Sequence, residues 1–412
     1  MTAELDPHAV SEVRTRLLRQ REFGLLFWGQ AVSSFGDRLV MVAMPFAVLS
    51  IPGADLSDVG LVLGATTLSL AVFVLVGGVV ADRIPRQLTM LGSDVVRAGA
   101  QGLTAYLLLT DRATVLSLVV LQSVYGAAEA FFRPAVLGLV PQVVTKADIQ
   151  PAQALLALSA NLAMLLGPVA AGLLVAGVGA GGAIAVDALT FLVSAASLVR
   201  MRPTPGERAQ GGSFVKDLAG GWREVASRSW VWAILLAFSA YHALVLPALF
   251  VLGPLYAETD RGGATSWGVI SAGFGIGSLV GSLVALRVRV DRTGLVIGAA
   301  LALSCSQAVI VVLPVPTLAV AALEAVTGVT VALCFTLWET ALNLRIPAAA
   351  QSRVSSFDYL ASLTLMPVGY VAIGPVAEAL GTRRTALLAT AVAATVCVTV
   401  TLVPGVRRLR QG

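Results

Sequence analysis

The sequence predicts an all-α membrane protein with twelve transmembrane helices in two six-helix halves. Three observations support this: an extreme composition, a succession of apolar stretches, and a partial repeat half a chain apart. Of the 412 residues, 57% are apolar and 12% are charged, whereas soluble domains carry about a quarter of charged residues. Because roughly 20 apolar residues cross a bilayer, the length suits about a dozen crossings and excludes a sizeable soluble catalytic domain.

Charged or Pro/Gly-rich breaks divide the chain into twelve predicted spans. In order, they cover residues 23–51, 59–81, 88–110, 113–138, 154–178, 183–201, 229–256, 266–287, 294–313, 318–345, 355–380 and 385–403. The first six form an N-terminal bundle over 23–201 and the last six a C-terminal bundle over 229–403. The tails, 1–22 and 404–412, then lie on one side of the membrane.

A central connection, 202–228, separates the two bundles. It holds the breaker-rich run RPTPGERAQGG, followed by apolar residues at helical spacing up to Val225. That spacing is compatible with an amphipathic helix on the membrane surface or with a solvated linker. Similar segments begin at Gly167 in span 5 and at Gly374 in span 11. Two halves related by duplication are the architecture expected of a secondary transporter, with substrate held between them.

The basic residues predict the orientation. With cytoplasmic termini, 22 of the 28 Lys and Arg residues fall on the inner side, as the positive-inside rule requires. We therefore expect a multi-pass protein of the inner (plasma) membrane with both termini in the cytoplasm. The net charge of +5 is not gathered into a stripe, which argues against a nucleic-acid partner. Three scattered Cys and two His predict neither a metal site nor a cofactor.

Ionisable residues within spans are the first candidates for function because burying them in a membrane is costly. Asp37 lies near the middle of span 1, beside Arg38 and on one helical face with Gln30. An apolar cavity disfavours the charged form of a carboxylate, so Asp37 is a candidate proton carrier. The alternative is a static ion pair with Arg38 or Arg97.

Further candidates lie in spans 4, 7 and 10. In span 4, a polar stripe contains a Glu and an Arg at i, i+4 spacing, which favours a structural salt bridge. The two acids of span 10 lie near its opposite ends; they either form part of a proton path or pair with nearby basic residues. The histidine of span 7 is either a core residue or a functional one. The proton-coupling candidates are Asp37, Glu129, Glu324 and Glu339, and the substrate-cavity candidates are Gln30, Arg38, Gln122, Tyr125, His242 and Trp338.

The segment GGVVADRIPRQL resembles the loop 2–3 signature of the major facilitator superfamily, G-x-L-A-D-R-x-G-R-K. The matching residues that the resemblance assigns to gating are Gly78, Asp82, Arg83 and Arg86, whereas Pro85 replaces a glycine of the pattern. In that family the loop faces span 11, so the resemblance implies that its arginines pair with Asp358 or with lipid phosphate. Arg97, in span 3 near this loop, is expected to complete a charge network that holds one conformation shut.

Span 5 is similar to the antiporter motif of the same family, G-P-x-x-G-G. Gly167, Pro168 and Gly172 match, and Ala171 replaces the first of the paired glycines. These residues either allow helices to slide during transport or form a packing face. Span 4 departs from the family's R-x-x-Q-G pattern, because Gln122 stands at the Arg position; Arg133 is the candidate substitute.

The pattern over nearly the whole chain is similar to the drug and siderophore exporter branch, which includes macrolide-efflux and enterobactin-exporter-like proteins. The resemblance implies proton-coupled efflux of amphipathic small molecules by alternating access; the alternative is uptake or uniport of a small organic solute. No GxxxxGK[ST] occurs in the chain, which argues against a nucleotide-driven pump. We expect no enzyme activity and no catalytic residues. The predicted partners are a small-molecule substrate, protons and lipid, and the protein is expected to act as a monomer.

Overall fold

The structure is a computed structural model that describes residues 15–203, 222–285, 287 and 290–410. Within it, the side chains of 75–83, 348–350, 352, 353, 355 and 356 are not described. The first half holds α1 (Arg21–Leu49), α2 (Leu56–Arg83), α3 (Arg86–Leu109) and α4 (Val115–Val143). It continues with Ile149–Arg200, which comprises α5 (149–178) and α6 (180–200) joined at Gly179.

The second half repeats this arrangement. It holds α7 (Ser229–Asp260), α8 (Ala264–Ala285), α9 (Thr293–Ile310) and α10 (Thr317–Arg345). After these come α11 (Ala348–Thr364, continued as Met366–Leu380), α12 (Thr382–Val400) and a short α13 (Pro404–Arg407). Within α7, two π-helical turns, Tyr241–Val245 and Ala248–Leu252, flank Pro247. Such turns widen a helix locally and are frequent at functional sites.

Ten helical stretches among the described residues are long and apolar enough to cross a membrane. One of them, Lys146–Arg200, has 55 residues and contains both α5 and α6. Gly179 has φ 75° there, a left-handed conformation that glycine adopts without steric cost, so the chain turns back at this point. Helix α3 is not among the ten because Asp94, Arg97 and several amides and hydroxyls lower its hydropathy. The arrangement is consistent with the twelve predicted spans.

Two helix pairs make the most extensive contacts between the halves. Helix α2 approaches α11 closely, since a Cβ on Gly60 would meet the carbonyl oxygen of Tyr370. Helix α5 approaches α8 in the same way, since a Cβ on Gly268 would meet the carbonyl oxygen of Pro168. These approaches lie towards the end of the bundle opposite the described chain termini, which we call the distal end. There the Ser57 hydroxyl also donates to Glu378 at 2.6 Å, from α2 to α11.

The described terminal segments pack against the bundles at the opposite end, which we call the terminal end. Leu17 is fully buried in a cluster with Phe23 and Met90, and Arg16 forms an ion pair with Asp148. Leu409 is buried as well, and its carbonyl accepts a hydrogen bond from the Gly294 amide. Residues 15–22 of the predicted N-terminal tail are therefore docked. Most of the predicted connection, 204–221, lies outside the described residues, so its helical or solvated character stays a prediction.

Candidate functional site

A short exposed face at the middle of α1 is the centre of the site. Between Gly36 and Val48, all residues except Asp37, Arg38 and Met41 are buried. Their spacing places them on one side of the helix. The other side of α1 packs on α6, where a Cβ on Gly36 would meet Asp187 and Thr190. Helix α1 is thus anchored in its own half while this polar face stays open.

The helices beside this face show where it points. On one side, Tyr125 of α4 donates a hydrogen bond from its phenol to Asp37 Oδ1 at 2.7 Å. On the other side, Gly167 of α5 lies against the stem of Arg38. Both α4 and α5 contact the second half: α5 touches α8, and α4 carries a side chain that reaches α11. The exposed face of α1 therefore looks into the space between the halves.

Arg97 of α3 links Asp37 to the interior of the first half. Its guanidinium lies 3.9 Å from Asp37 Oδ1, and it donates a closer hydrogen bond to Asp94. The rings of Phe132 and Phe191 lie over the guanidinium carbon at 4.1 and 4.2 Å, where cation–π attraction stabilises the charge. Arg97 and Asp94 are almost fully buried, whereas the Asp37 side chain is 35% exposed. Asp94 is therefore the nearer counter-charge of Arg97, although Arg97 Nε and Asp94 Oδ2 are buried without a hydrogen-bond partner.

The salt bridge predicted for α4 is present. Arg133 donates two hydrogen bonds to Glu129, at 2.9 and 2.6 Å. Its guanidinium carbon also lies 6.0 Å from the ring centre of Tyr359 in α11. The pair therefore lies where the first half meets the second, on the wall of the same space that Asp37 faces. Whether it takes part in coupling stays a prediction.

Two amides expected at the cavity lie inside the first half instead. Gln122 is buried and donates to Gln101 of α3 at 3.1 Å. Gln30 is also buried, and its Nε2 has no hydrogen-bond partner. Helical spacing along a single span does not distinguish a face towards a cavity from one towards a neighbouring helix. Of the polar stripe in α4, Tyr125 is the member that reaches Asp37.

The two acids of α10 lie in different environments. Glu324 is buried, and its Oε2 accepts hydrogen bonds from Gln307 at 3.1 Å and Thr327 at 2.9 Å. Tyr241 in turn donates to Gln307. Glu339 is exposed at the terminal end, where it lines a cavity of about 190 Å³ together with polar and apolar residues of α10 and α11. In this conformation the Glu324 carboxylate is therefore buried within the second half, whereas the Glu339 carboxylate is accessible at the terminal end.

The aromatic and histidine candidates of the second half differ in burial: Trp338 is buried, and His242 is partly exposed. Trp338 is fully buried against Trp230 and Phe238 and exposes no surface to the space between the halves. The His242 ring contacts the Phe238 carbonyl through Nδ1 at 2.8 Å, and whether it is a core or a functional residue stays a prediction. The indole of Trp338 donates to Asp358 at 3.2 Å.

The gating candidates are placed as follows. Gly167, Pro168 and Gly172 lie along α5, and the last two meet α8 at the junction of the halves. Arg86 donates to the carbonyl of Gly138 within its own half and does not form the pair with Asp358 expected from the resemblance. The predicted contacts of three residues concern side chains outside the described set: Gly78, Asp82 and Arg83.

Several interacting residues carried little signal in the sequence. The phenylalanines around Arg97 resemble ordinary apolar residues of a span, and Gln101 and Gln307 gain their roles from partners on distant helices. Gly36 was detectable only as one of 40 glycines. The available signal was an amide side chain within an apolar span. Such a group requires a hydrogen-bond partner once it is buried, so both glutamines could have been noted.

Comparisons with known proteins assign this architecture to a family. The family model of the Major Facilitator Superfamily matches residues 26–363. The chain is 26% identical over 380 residues to the multidrug efflux pump Tap of Mycolicibacterium fortuitum, covering 88% of this chain and 91% of that one. It is 23% identical over 269 residues to macrolide efflux protein A of Streptococcus pyogenes, covering 64% and 65%.

Solved structures share the fold at low identity. A bacterial homologue of the human lysosomal transporter Spinster, in an inward-facing and occupied conformation, gives a TM-score of 0.71 at 13% identity, covering 93% of this chain and 97% of that one. A bacterial homologue of the iron transporter ferroportin, in an inward-facing state, gives 0.68 at 14%, covering 92% and 98%. The helices, their pairing between halves and the family match lead to one conclusion: the chain is a multi-pass membrane transporter that belongs to the major facilitator superfamily.

Proposed function

We infer that the protein is a proton-coupled exporter of amphipathic small molecules. The observation that carries this inference is Asp37, a carboxylate near the middle of the first span that faces the space between the halves. The names of the relatives support efflux, and the basic residues on the terminal side support cytoplasmic termini. In this orientation the distal end is external, and its contacts between α2 and α11 and between α5 and α8 close the external side. Each chain encloses a complete path and acts as a monomer in the plasma membrane.

Asp37 serves as the site at which substrate and proton alternate. When it is ionised, its free oxygen attracts the basic group of a substrate that enters from the cytoplasm. After the halves rock and the external side opens, protonation removes that charge and releases the substrate. Neutral Asp37 then allows the return step, because an apolar, closing cavity disfavours an unpaired carboxylate. The buried Arg97–Asp94 ion pair stays intact in each of these steps.

The experiment is a measurement of internal pH in proteoliposomes that carry a pH-sensitive dye. A panel of amphipathic amines is added to wild type, to Asp37→Asn and to a matched control, Asp111→Asn, whose carboxylate is exposed in the loop between α3 and α4. We expect substrate-dependent proton movement in wild type and in the control and none in Asp37→Asn. Substrate crossing without proton movement in wild type would replace this proposal with uniport or with another coupling ion.

A further inference from the structure

Arg38 differs from the other two arginines near the site because it lacks an acidic partner. Arg97 is held by Asp94, and Arg133 by Glu129. For Arg38, no carboxylate oxygen among the described residues lies within 4.0 Å. Among the described residues, the hydrogen bond of its Nη1 goes to the Met41 sulfur, at 3.8 Å, and its Nε is buried without a hydrogen-bond partner. The guanidinium thus retains binding capacity.

The position of Arg38 directs this capacity towards the substrate path. Its stem lies against Gly167, where any side chain would collide with it, so α5 restricts the arginine to the exposed face of α1. Its neighbour Asp37 points about 100° further around the helix, and consecutive residues do not face each other. The two opposite charges therefore stand side by side on one wall without neutralising each other by contact.

When the cavity closes, the Arg38 guanidinium without an acidic partner favours some substrates over others. An unpaired cation inside a membrane protein is costly unless water or an anion faces it. Water faces Arg38 while the cavity is open, but occlusion around a substrate expels it. A substrate that supplies an anionic group to Arg38 offsets this cost in the occluded state more than in the open state. Such a differential interaction is what allows a ligand to shift a conformational equilibrium.

We propose that Asp37 and Arg38 together recognise zwitterionic amphipathic substrates, with the basic group at Asp37 and a carboxylate at Arg38. The assignment rests on the proposed function for the location of the substrate path. It narrows the substrate class from amphipathic amines to molecules that also carry an acidic group. Met41, exposed beside Arg38, offers an adaptable apolar surface for the rest of the molecule.

The test compares two dyes that differ by one negative charge: a rhodamine with a free carboxyl group and its methyl ester. Affinities are measured by fluorescence polarisation on purified protein in lipid nanodiscs at neutral pH. Because hydrogen bonds to charged groups are strong, we expect wild type to bind the free acid about tenfold or more tightly than the ester. Arg38→Gln should weaken binding of the acid to the level of the ester and leave the ester nearly unchanged.

Two further variants keep the interpretation clear. Arg38→Lys retains the charge and should restore part of the preference, whereas Arg112→Gln, in an exposed loop, should behave as wild type. Equal affinity of wild type for both dyes, no binding of the free acid, or an equal loss for both dyes in Arg38→Gln overturns the proposal. If the proteoliposomes show no proton movement, the preference for the free acid can still be measured by binding. The two proposals can therefore be refuted independently.

Discussion

Arg97 and Arg133 each bind a carboxylate on their own helix, but their surroundings differ. Arg97 and Asp94 are almost fully buried, and two phenylalanine rings cover the guanidinium. The Arg133 side chain is 54% exposed. Removing one partner of a buried pair leaves an uncompensated charge, whereas a partly exposed pair such as Arg133–Glu129 is partly screened by solvent. The same interaction type therefore contributes very differently to stability at the two places.

We predict that Arg97→Gln destabilises the protein by about 3–5 kcal/mol. Arg133→Gln, the matched control, should cost no more than about 1 kcal/mol. Thermal denaturation in detergent micelles, followed by circular dichroism, measures both. Equal losses for the two variants would show that Asp94 is relieved by some other contact and would contradict the role assigned to Arg97.

Glu324 provides a second prediction. Its carboxyl group is enclosed within the second half and already accepts hydrogen bonds from Gln307 and Thr327. Since Gln retains shape and polarity, Glu324→Gln should leave substrate-driven proton movement nearly unchanged, as measured in proteoliposomes. Glu324→Leu should reduce thermal stability, because it leaves the Gln307 amide without its acceptor. Lost proton coupling in Glu324→Gln would instead assign a proton to α10.

At the scale of elements, the motif in helix α5 was compatible with two roles: a packing face or a surface that slides during transport. Pro168 and Gly172 face α8, so the segment forms a packing face at the junction of the halves. Such a junction must separate at its distal end when the cavity opens to that side. Close contact and movement are therefore compatible in this segment.

Bulk at this junction should hold the distal end apart. A Cβ on Gly268 would meet the carbonyl oxygen of Pro168 and the backbone of Gly172. We predict that Gly268→Val shifts the population towards the state open at the distal end. The shift is measured as an increased distance between spin labels on the distal loops. Gly177→Val, where a Cβ meets open space, is the control; an unchanged distance distribution in Gly268→Val would contradict this account of closure.

The helices themselves could be predicted from the sequence because membrane spans follow from length and hydropathy. The break near residue 180 was visible as a cluster of glycines, and Gly179 provides it. Which way a side chain faces was harder to predict, since that depends on neighbouring helices. Gln122 and Trp338 are residue types that often line cavities, but both side chains are buried within their own halves. Asp37 was singled out because burying an acid in a span is costly, and its role as proton carrier stays a prediction.

At the scale of the whole molecule, the proposed coupling depends on two halves that move around Asp37, the carboxylate on the open face of α1. Asp94 and Glu324 lie inside the halves, and the closest approaches between halves are backbone contacts near the distal end. Rocking of the halves therefore changes the surroundings of Asp37 more than those of the enclosed acids. This predicts that uphill transport stops when a protonophore collapses the proton gradient, while downhill exchange of labelled substrate continues in the same vesicles. Uphill transport that survives the protonophore would indicate another energy source.

The most direct test of the central claim separates uphill transport from exchange in Asp37→Asn. Labelled substrate is followed in proteoliposomes, first against its gradient with an imposed pH difference and then as counterflow without one. If Asp37 is where protons couple to transport, Asn, which cannot ionise, should abolish uphill accumulation and preserve counterflow. Uphill accumulation at the wild-type rate in a correctly folded Asp37→Asn protein would contradict the account.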